Sequence, residues 1–426
     1  MLKIGNPNLG GPYMLRVKGT GKSLLITMLL VCLTLTACGG GSGGKAADQG
    51  GKQTIRFATW DSEDNLTLQQ ELIDQFNETH TDIQVSLEAY GSDYDTKITA
   101  GMGAKDAPDV MYMWNYPTYK DALEPLDSYI EQEGGSFKDN FYETLWNYNS
   151  ADEQILGLPV GYTTHVVYYN KDLFDAAGVP YPQDGWTWAD LQEAAKKLSD
   201  KAENISGFAF SGKPDPYDFE MFLWGNGASY IDDQGNLEGN LNSPKSIEVL
   251  TMFQNMLKEG YAITTEGSGA TEMKSGKVAM FTNGAWSIAS LREAGINFGV
   301  VELPKFKDGS AVSVVSSSGI SMSKESSKKD AAWEFIKFWT SEEANKARID
   351  YELPVLKTVV ESEQLQNDDM KRVFYHMLEM SDKYTPASFK VDNWSEISEN
   401  LQLAFEQIFN PSTLMDPKTV LDDAAQ

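Results

Sequence analysis

The amino-acid sequence predicts an α/β protein with two domains, and three observations support this prediction. Strand-like and helix-like segments alternate from residue 54 onward, as in parallel sheets with helices packed on them. A chain of 426 residues is too long for one ordinary hydrophobic core. Residues 160–169 form an uncharged run rich in β-branched and aromatic residues, which predicts a buried strand with α/β pattern on both sides.

The first part of the alternation consists of strand and helix patterns at residues 54–59, 66–76, 83–89, 94–104 and 110–113. In parallel sheets, ligands bind beyond the carboxyl ends of the strands. Residues 60–65 follow the first strand, and residues 114–116 follow the third. These two segments are therefore candidates for ligand contact.

The alternation continues toward the C-terminus. Further strands are predicted at residues 208–210, 278–281, 297–303 and 312–323. Further helices are predicted at residues 173–177, 188–198, 219–224, 246–257, 331–339 and 401–409. The helix at residue 188 follows Thr187, a residue type that favours the N-cap position.

Net charge and residue counts exclude several classes of protein. The formal net charge is −27, so the surface repels phosphate backbones and no nucleic-acid partner is expected. Both cysteines, Cys32 and Cys38, lie in or beside an N-terminal apolar run, so later residues can form neither a disulfide nor a thiolate metal site. The three histidines, His80, His165 and His376, lack metal-ligand spacing, and no metal or cofactor is expected.

The N-terminus has the pattern of a secretion signal. Three basic residues precede an apolar run at residues 24–36, which is shorter than a membrane span. The following Leu35-Thr36-Ala37-Cys38 resembles a lipobox, the signal at which a chain is cut before an acylated cysteine. We therefore expect a lipoprotein signal peptide at residues 1–37, with Met14 as a plausible true start, lipidation of Cys38, and a flexible linker at residues 38–52.

Acidic side chains cluster after the first predicted strand, at Asp61, Glu63 and Asp64. Acids at this point fit the start of a helix, where the dipole favours them. They equally fit the recognition of sugar hydroxyls, because an ionised carboxylate offers several acceptor lone pairs. A third interpretation is the carboxylate pair of a glycoside hydrolase.

Tryptophans give the strongest signal for a ligand class. Trp60, Trp114, Trp224, Trp286 and Trp394 fall in or near predicted loops rather than at helical core spacing. Sugars present apolar C–H faces beside hydroxyl groups, so a saccharide cleft needs flat aromatic platforms and polar groups between them. For Trp224, core packing and ligand contact remain equal alternatives.

Short motifs along the chain carry a resemblance to a known family. They are Ala107-Pro108-Asp109-Val110, Leu158-Pro159, Tyr169-Asn170-Lys171-Asp172, Ala177-Gly178-Val179-Pro180, Asn283-Gly284-Ala285-Trp286 and Glu352-Leu353-Pro354-Val355. Their order and spacing resemble extracellular solute-binding protein family 1, the maltose-binding-protein-like group that serves ABC sugar importers. The resemblance spans roughly residues 54–425.

This resemblance implies a two-lobed periplasmic-binding-protein-like fold of type II. Each lobe would be a mainly parallel sheet flanked by helices, with the ligand held between the lobes. Three crossings would join them, near residues 161–165, 314–318 and 352–356. Lobe 1 would comprise residues 53–162 plus 317–353, and lobe 2 residues 163–316 plus 354–426.

The resemblance also implies which residues contact the ligand. At the first crossing, Tyr162 and His165 either touch the ligand or merely line the crossing. Some maltose binders place an acid there where this chain has Thr163, so maltose itself is in doubt. The candidate ligand-binding residues are Asp61, Glu63, Asp64, Trp114, Asn115, Tyr116, Tyr162, His165, Tyr217, Trp224, Trp286 and Trp394.

The expected function is that of a monomeric, extracytoplasmic bacterial lipoprotein that binds a carbohydrate and delivers it to an ABC permease in the membrane. Binding would close the two lobes on the ligand, without enzymatic chemistry and without a cofactor. Two alternatives remain open. One is a secreted glycoside-active enzyme, and the other is a binder of a non-sugar solute, such as a polyamine, in the same fold.

Overall fold

A computed structural model describes residues 52–426 of the chain. The predicted signal peptide, the predicted lipidation site Cys38 and nearly all of the predicted linker lie outside the described residues. The backbone of Glu63 and Asp64 is described, but their side chains are not.

The strands are β1 (Gln53–Thr59), β2 (Ile83–Ala89), β3 (Val110–Met113), β4 (Ser150–Ala151), β5 (Gln154–Ile155), β6 (Leu158–Thr164), β7 (Val166–Asn170), β8 (Phe208–Ser211), β9 (Ala262–Thr265), β10 (Met280–Asn283), β11 (Phe298–Val301) and β12 (Val315–Met322). The helices are α1 (Glu63–Thr79), α2 (Tyr94–Ala104), α3 (Tyr116–Tyr119), α4 (Asp127–Glu133), α5 (Gly135–Asp139), α6 (Glu143–Tyr148), α7 (Lys171–Ala177), α8 (Trp188–Leu198), α9 (Pro216–Gly225), α10 (Pro244–Glu259), α11 (Ala270–Lys274), α12 (Ser287–Glu293), α13 (Lys329–Trp339), α14 (Glu342–Ala347), α15 (Lys357–Ser362), α16 (Lys371–Met380), α17 (Trp394–Phe409) and α18 (Pro417–Ala424).

Two sheets, each flanked by helices, organise the fold. The first has the strand order β2-β1-β3-β12-β6, and the second has the order β11-β7-β10-β8-β9. The predicted α/β class is therefore confirmed. Both sheets are mixed rather than mainly parallel, because β12 and β7 each pair antiparallel with both of their neighbours. Neither β6 nor β11 leads into the next strand through a crossover helix, so nothing requires parallel pairing there.

The uncharged run at residues 160–169 is two strands rather than one. Every residue of β6 and β7 is buried, as the sequence predicts, but β6 belongs to the first sheet and β7 to the second. His165 alone separates them. The chain thus passes between the sheets within a single residue.

Two further passages join the sheets. The chain returns from β11 in the second sheet to β12 in the first. After α14 it reaches Leu353, which pairs with Tyr162 of β6, and continues to α16, which packs against both β6 and β7. Three segments therefore run side by side between the two sheets, as the type II fold requires.

Local signals in the sequence set several helix ends. Thr187 and Asp190 form a reciprocal capping box at the start of α8. The side chain of Asn170 accepts a hydrogen bond from the Leu173 amide and so caps α7, which ends at Gly178 in the left-handed conformation. The recognisable Tyr-Asn-Lys-Asp segment is thus a strand end and a helix start.

The core of the first sheet is aromatic. Phe57 of β1 lies 5.4 Å from the ring of Tyr112 on β3, and 4.9 Å from the ring of Trp339 at the end of α13. All three side chains are fully buried. They anchor the carboxyl ends of β1 and β3, which hold the next loops in place. Within residues 52–426, no helix is both long and apolar enough to span a bilayer.

Candidate functional site

A cavity of about 320 Å³ lies where the two sheets meet. Loops after β1, β3 and β10 contribute to it, and so do the three segments that pass between the sheets. Its lining residues are Trp60, Trp114, Gly161, Tyr162, Thr163, Ala285, Trp286, Ser316, Ser317, Ser318, Tyr351, Glu352 and Leu353.

Three indole rings face this cavity. Trp60 is half-buried, since it packs on Tyr112 and Tyr94 with ring centroids 5.0 and 5.2 Å away. Trp114 and Trp286 are 51% and 54% exposed, which is unusual for tryptophan in the described chain. Trp114 follows a strand of the first sheet and Trp286 a strand of the second. Apolar platforms therefore reach the cavity from both sheets.

The backbone around residue 284 fixes the position of Trp286. A Cβ atom on Gly284 would lie 2.7 Å from the indole ring, so the ring rests directly on the glycine. The amide of Ala285 donates a hydrogen bond of 2.7 Å to the hydroxyl of Thr163 on β6. The edge of His165 meets the indole at a centroid distance of 5.6 Å. These contacts hold the platform against the first crossing.

The β6–β12 ladder supplies hydroxyl groups to the cavity wall. Ser316, Ser317 and Ser318 of β12 pair with Thr163, Tyr162 and Gly161 of β6, respectively. The Ser317 hydroxyl accepts a hydrogen bond of 2.8 Å from the amide of Asn149. Within the described chain, the buried hydroxyl of Tyr162 has no hydrogen-bond partner. Its ring packs against Tyr142 and Tyr375, on the face of β6 opposite to Gly161 and Thr163, so this hydroxyl belongs to the packing behind the cavity wall.

The third crossing places a carboxylate in the cavity. Oε2 of Glu352 accepts a hydrogen bond of 3.0 Å from Nε of Arg348, whose Nη2 donates to the carbonyl of Trp339 at 3.0 Å. Burial raises the pKa of the Glu352 carboxyl, the charge of Arg348 opposes that effect, and the charge of Asp61 adds to it. Two acids and one guanidinium thus lie together behind the wall.

Asp61 lies beside the cavity rather than in its lining. Its carboxylate accepts hydrogen bonds from Asn65, Thr59 and Gln69. Burial raises the pKa of the Asp61 carboxyl, although these hydrogen bonds lower it in part. Of the predicted ligand residues, Trp114, Tyr162 and Trp286 line the cavity directly.

The structure does not bring Asn115 and Tyr116 to the cavity. Oδ1 of Asn115 accepts a hydrogen bond from the backbone amide of Thr118, so the side chain of Asn115 caps the start of α3. Tyr116 is fully buried, and its hydroxyl donates to Oδ1 of Asn149 at 2.8 Å. Neither residue lines this cavity: one is a helix cap and the other is core, and their contact with ligand stays a prediction.

His165 and Tyr217 lie near the crossings but outside this cavity. His165 is buried and lines a neighbouring cavity of about 220 Å³, with Nε2 3.9 Å from a carboxylate oxygen of Asp218. The hydroxyl of Tyr217 donates to the carbonyl of Val315 at 2.6 Å, at the start of β12. Tyr217 therefore braces the second crossing.

Trp224 and Trp394 pack against the protein. Trp224 is buried and stacks on Tyr384 with centroids 5.3 Å apart, which favours the core interpretation of this residue. Trp394 opens α17 and packs near Tyr230, 6.2 Å between centroids. Neither residue lines the tryptophan-lined cavity, since each belongs to a helix and not to a loop after a strand.

Several lining residues were missed. Trp60 was recognised as an aromatic near a loop but was not included among the ligand contacts. The serines at 316–318 and Glu352 lie at segments recognised only as crossings. Polar residues inside a predicted crossing would have been a usable signal. Among residues 52–426, no group of three or more His, Cys, Asp or Glu side chains is arranged to hold a metal.

Known proteins resemble this chain in sequence. A family model described as bacterial extracellular solute-binding protein matches residues 59–346. A binding protein of Brucella abortus is 26% identical over 342 residues, which cover 78% of this chain and 80% of that protein. The sn-glycerol-3-phosphate-binding periplasmic protein UgpB of Shigella dysenteriae is 28% identical over 251 residues, 55% of this chain and 57% of that protein.

The fold also resembles solved structures. The ABC substrate-binding protein Lmo0181 of Listeria monocytogenes, solved in complex with cycloalternan, matches with a TM-score of 0.74 and 26% identity over 88% of this chain and 97% of that one. This likeness confirms the type II two-lobed architecture. Members of the matched family are extracytoplasmic solute-binding proteins of ABC importers rather than enzymes. This chain belongs to the bacterial extracellular solute-binding protein family.

Proposed function

We propose that this protein binds a carbohydrate, an oligosaccharide, in the tryptophan-lined cavity and delivers it to a membrane permease. One observation carries the proposal: Trp114 and Trp286, both about half exposed, face one cavity from the two sheets. Indole rings that remain uncovered by the protein are platforms for the C–H faces of sugar rings. Ser316 and Glu352 line the same cavity, and their hydroxyl and carboxylate groups can bind sugar hydroxyls.

A glycerol phosphate is the second candidate ligand, since a relative, the Shigella protein UgpB, is named for binding it. The chemistry of the lining favours the sugar. Of the described residues that line the cavity, none is lysine or arginine, and Glu352 is acidic. A phosphate group would enter without a cation to pair with.

Hinge closure is the proposed mechanism. We assign residues 53–162 plus 317–353 to lobe 1 and residues 163–316 plus 354–426 to lobe 2. Trp114 then belongs to lobe 1 and Trp286 to lobe 2. A sugar stacked on both rings binds the closed form better than the open form, so it shifts the population toward closure by that difference in affinity.

Acylation of Cys38 would tether the mature monomer to the outer face of the cytoplasmic membrane. The Gly-rich linker at residues 38–52 gives the folded part freedom to reach the permease, and confinement at the membrane raises its effective concentration. Cells fed a labelled fatty acid should incorporate the label into this chain, and Cys38→Ala should abolish the incorporation. Labelling of the variant would contradict the assignment.

Calorimetry on the purified full-length protein tests the ligand. We expect saturable binding of at least one uncharged oligosaccharide, such as maltotetraose or mannotriose, without release of smaller sugars. Trp286→Ala should weaken that binding about tenfold or more, because stacking and apolar burial are both lost. Trp188→Phe, in the core of the second sheet, is the control and should leave the affinity unchanged. Turnover of the sugar would instead favour the glycosidase alternative.

A further inference from the structure

One side chain in the cavity is a carboxyl group, that of Glu352, and its surroundings fix it in place. Glu352 is 23% exposed, and within residues 52–426 Arg348 is the one donor to its carboxylate. The donated bond reaches Oε2 and leaves Oε1 without a protein donor. One carboxylate oxygen therefore has a hydrogen-bond donor in the protein, and the other is available at the cavity wall.

The backbone of β6 holds Glu352 in position. A Cβ atom on Gly161 would lie 3.0 Å from Cδ and 3.1 Å from Cβ of Glu352, so the side chain packs flat on this glycine. Arg348 is itself buried and fixed by its bond to the carbonyl of Trp339. A carboxylate that is fixed before binding costs little conformational entropy when a ligand arrives.

Two carboxyl groups share one guanidinium. Arg348 donates to Glu352, and its charge also acts on Asp61, whose pKa it lowers in part. One positive group cannot neutralise both acids when each is ionised. The remaining lining side chains among the described residues are aromatic, hydroxyl-bearing or aliphatic, and none brings a positive charge.

We infer that Glu352 selects the ligand class of this cavity. Its free Oε1 accepts hydroxyl groups of an uncharged saccharide, and its charge excludes solutes that carry phosphate or carboxylate groups. This inference rests on the proposed function, because it takes the tryptophan-lined cavity to be the solute site. It also gives a physical reason for this chain to differ in ligand from its glycerol-phosphate-binding relative.

Calorimetry with neutral and anionic probes tests the selection. The wild-type full-length protein should bind maltotetraose or mannotriose at least about tenfold more tightly than sn-glycerol 3-phosphate. Glu352→Gln should weaken the saccharide about tenfold, since a charged acceptor becomes a neutral one, and should strengthen the phosphate ester. Glu131→Gln, an exposed position on α4, is the matched control. Equal or tighter binding of the phosphate ester by the wild type would overturn the inference and leave solute binding intact.

A measurement without ligand separates this inference from the proposed function. Trp114 and Trp286 are exposed at the cavity, so added ions can quench their fluorescence. At low ionic strength, Glu352→Gln should raise quenching by iodide about twofold and lower quenching by caesium, relative to Glu131→Gln. Glu352→Asp, which keeps the charge, should resemble the wild type.

Equal quenching by both ions in Glu352→Gln and Glu131→Gln would mean that Glu352 does not set the local field, and the inference would be wrong. If the wild type binds no saccharide, the proposed function fails, whereas the quenching result still decides whether Glu352 excludes anions. Circular dichroism of each variant confirms that the comparison is made between folded proteins.

Discussion

Thr163 and Ala285 join the two sheets directly: the hydroxyl of Thr163 on β6 accepts a hydrogen bond of 2.7 Å from the amide of Ala285, the residue before Trp286. The same hydroxyl donates to the carbonyl of Thr164 at 2.9 Å, so its direction is fixed. The first crossing thus sets the position of an aromatic platform that belongs to the other sheet.

Thr163→Val should therefore weaken saccharide binding while the cavity keeps its size. Valine has nearly the same shape but no acceptor, so the Ala285 amide loses its partner and the Trp286 loop loosens. We expect affinity to fall severalfold and the free energy of unfolding to fall by about 1 kcal/mol. Calorimetry and urea unfolding check both values. Thr163→Ser keeps the hydroxyl and should retain the affinity; an unchanged affinity in Thr163→Val would contradict this role.

Gly284→Ala should displace the indole of Trp286. The new Cβ would lie 2.7 Å from ring atoms, a distance that forces the ring to move. Saccharide affinity should fall about as much as in Trp286→Ala, whereas overall stability should change little because the ring is exposed. The control is Gly103→Ala in α2, where a Cβ meets no atom within 4 Å. That variant should bind normally, and equal affinities for both variants would argue against the contact.

Tyr116→Phe tests whether the buried Tyr116 is a core residue or a ligand contact. Removal of the hydroxyl leaves Oδ1 of the buried Asn149 without its donor, so the free energy of unfolding should fall by about 1–3 kcal/mol. Saccharide affinity should stay at the wild-type value. The control is Tyr119→Phe, whose hydroxyl bond to Thr99 is exposed and should be worth less than about 0.5 kcal/mol. A loss of affinity without a loss of stability would restore Tyr116 to the site.

Glu220 of α9 should make stability depend on pH. The side chain is 1% exposed, and Oε2 accepts a hydrogen bond of 2.9 Å from the amide of Ala387. Burial is the main cause that raises the pKa of Glu220 from 4.5 to about 8. At neutral pH the folded protein therefore holds a proton that the unfolded chain releases. The contribution of this group to stability is complete below pH 4.5 and declines as pH rises through about 8.

Glu220→Gln should remove that decline, because the amide is uncharged at every pH and still accepts from Ala387. Thermal unfolding at pH 6 and pH 9 measures the effect. The wild type should lose more stability over this interval than the variant, by about 2 kcal/mol. The exposed Glu131→Gln should follow the wild type. An equal decline in Glu220→Gln and in the wild type would show that the carboxyl is ionised in the folded protein.

The sequence predicts the fold well because the relevant signals are local. Alternating patterns at residues 54–113 correspond to β1, α1, β2, α2 and β3, and Thr187 caps α8 as expected. The direction of a strand is harder to predict from the sequence. The strand β12 pairs antiparallel with β3 and β6, and only the route of the chain between the sheets determines that pairing.

The site is harder to predict because exposure is a tertiary property. Trp224 and Trp286 both lie in or near predicted loops, yet one is stacked on Tyr384 and the other faces a cavity. Trp114 and Tyr116 both follow the end of β3 within three residues, but the hydroxyl of Tyr116 meets Asn149, which is distant in sequence. The sequence around Glu352 does not indicate its role. Its contact with Gly161 exists only in the folded protein, where the crossings lie side by side, and its position also depends on the bond from Arg348.

The β6–β12 ladder has a consequence for how this protein can change its cargo. Residues 161–163 and 316–318 line the cavity and also pair with one another. A substitution there alters the cavity wall and the strand pairing at once, so most changes of specificity at these positions would lower the stability of the fold. Trp114 and Trp286 lie in loops and take no part in this strand pairing. Evolution of a new preference should therefore begin at the tryptophans and leave the ladder nearly unaltered.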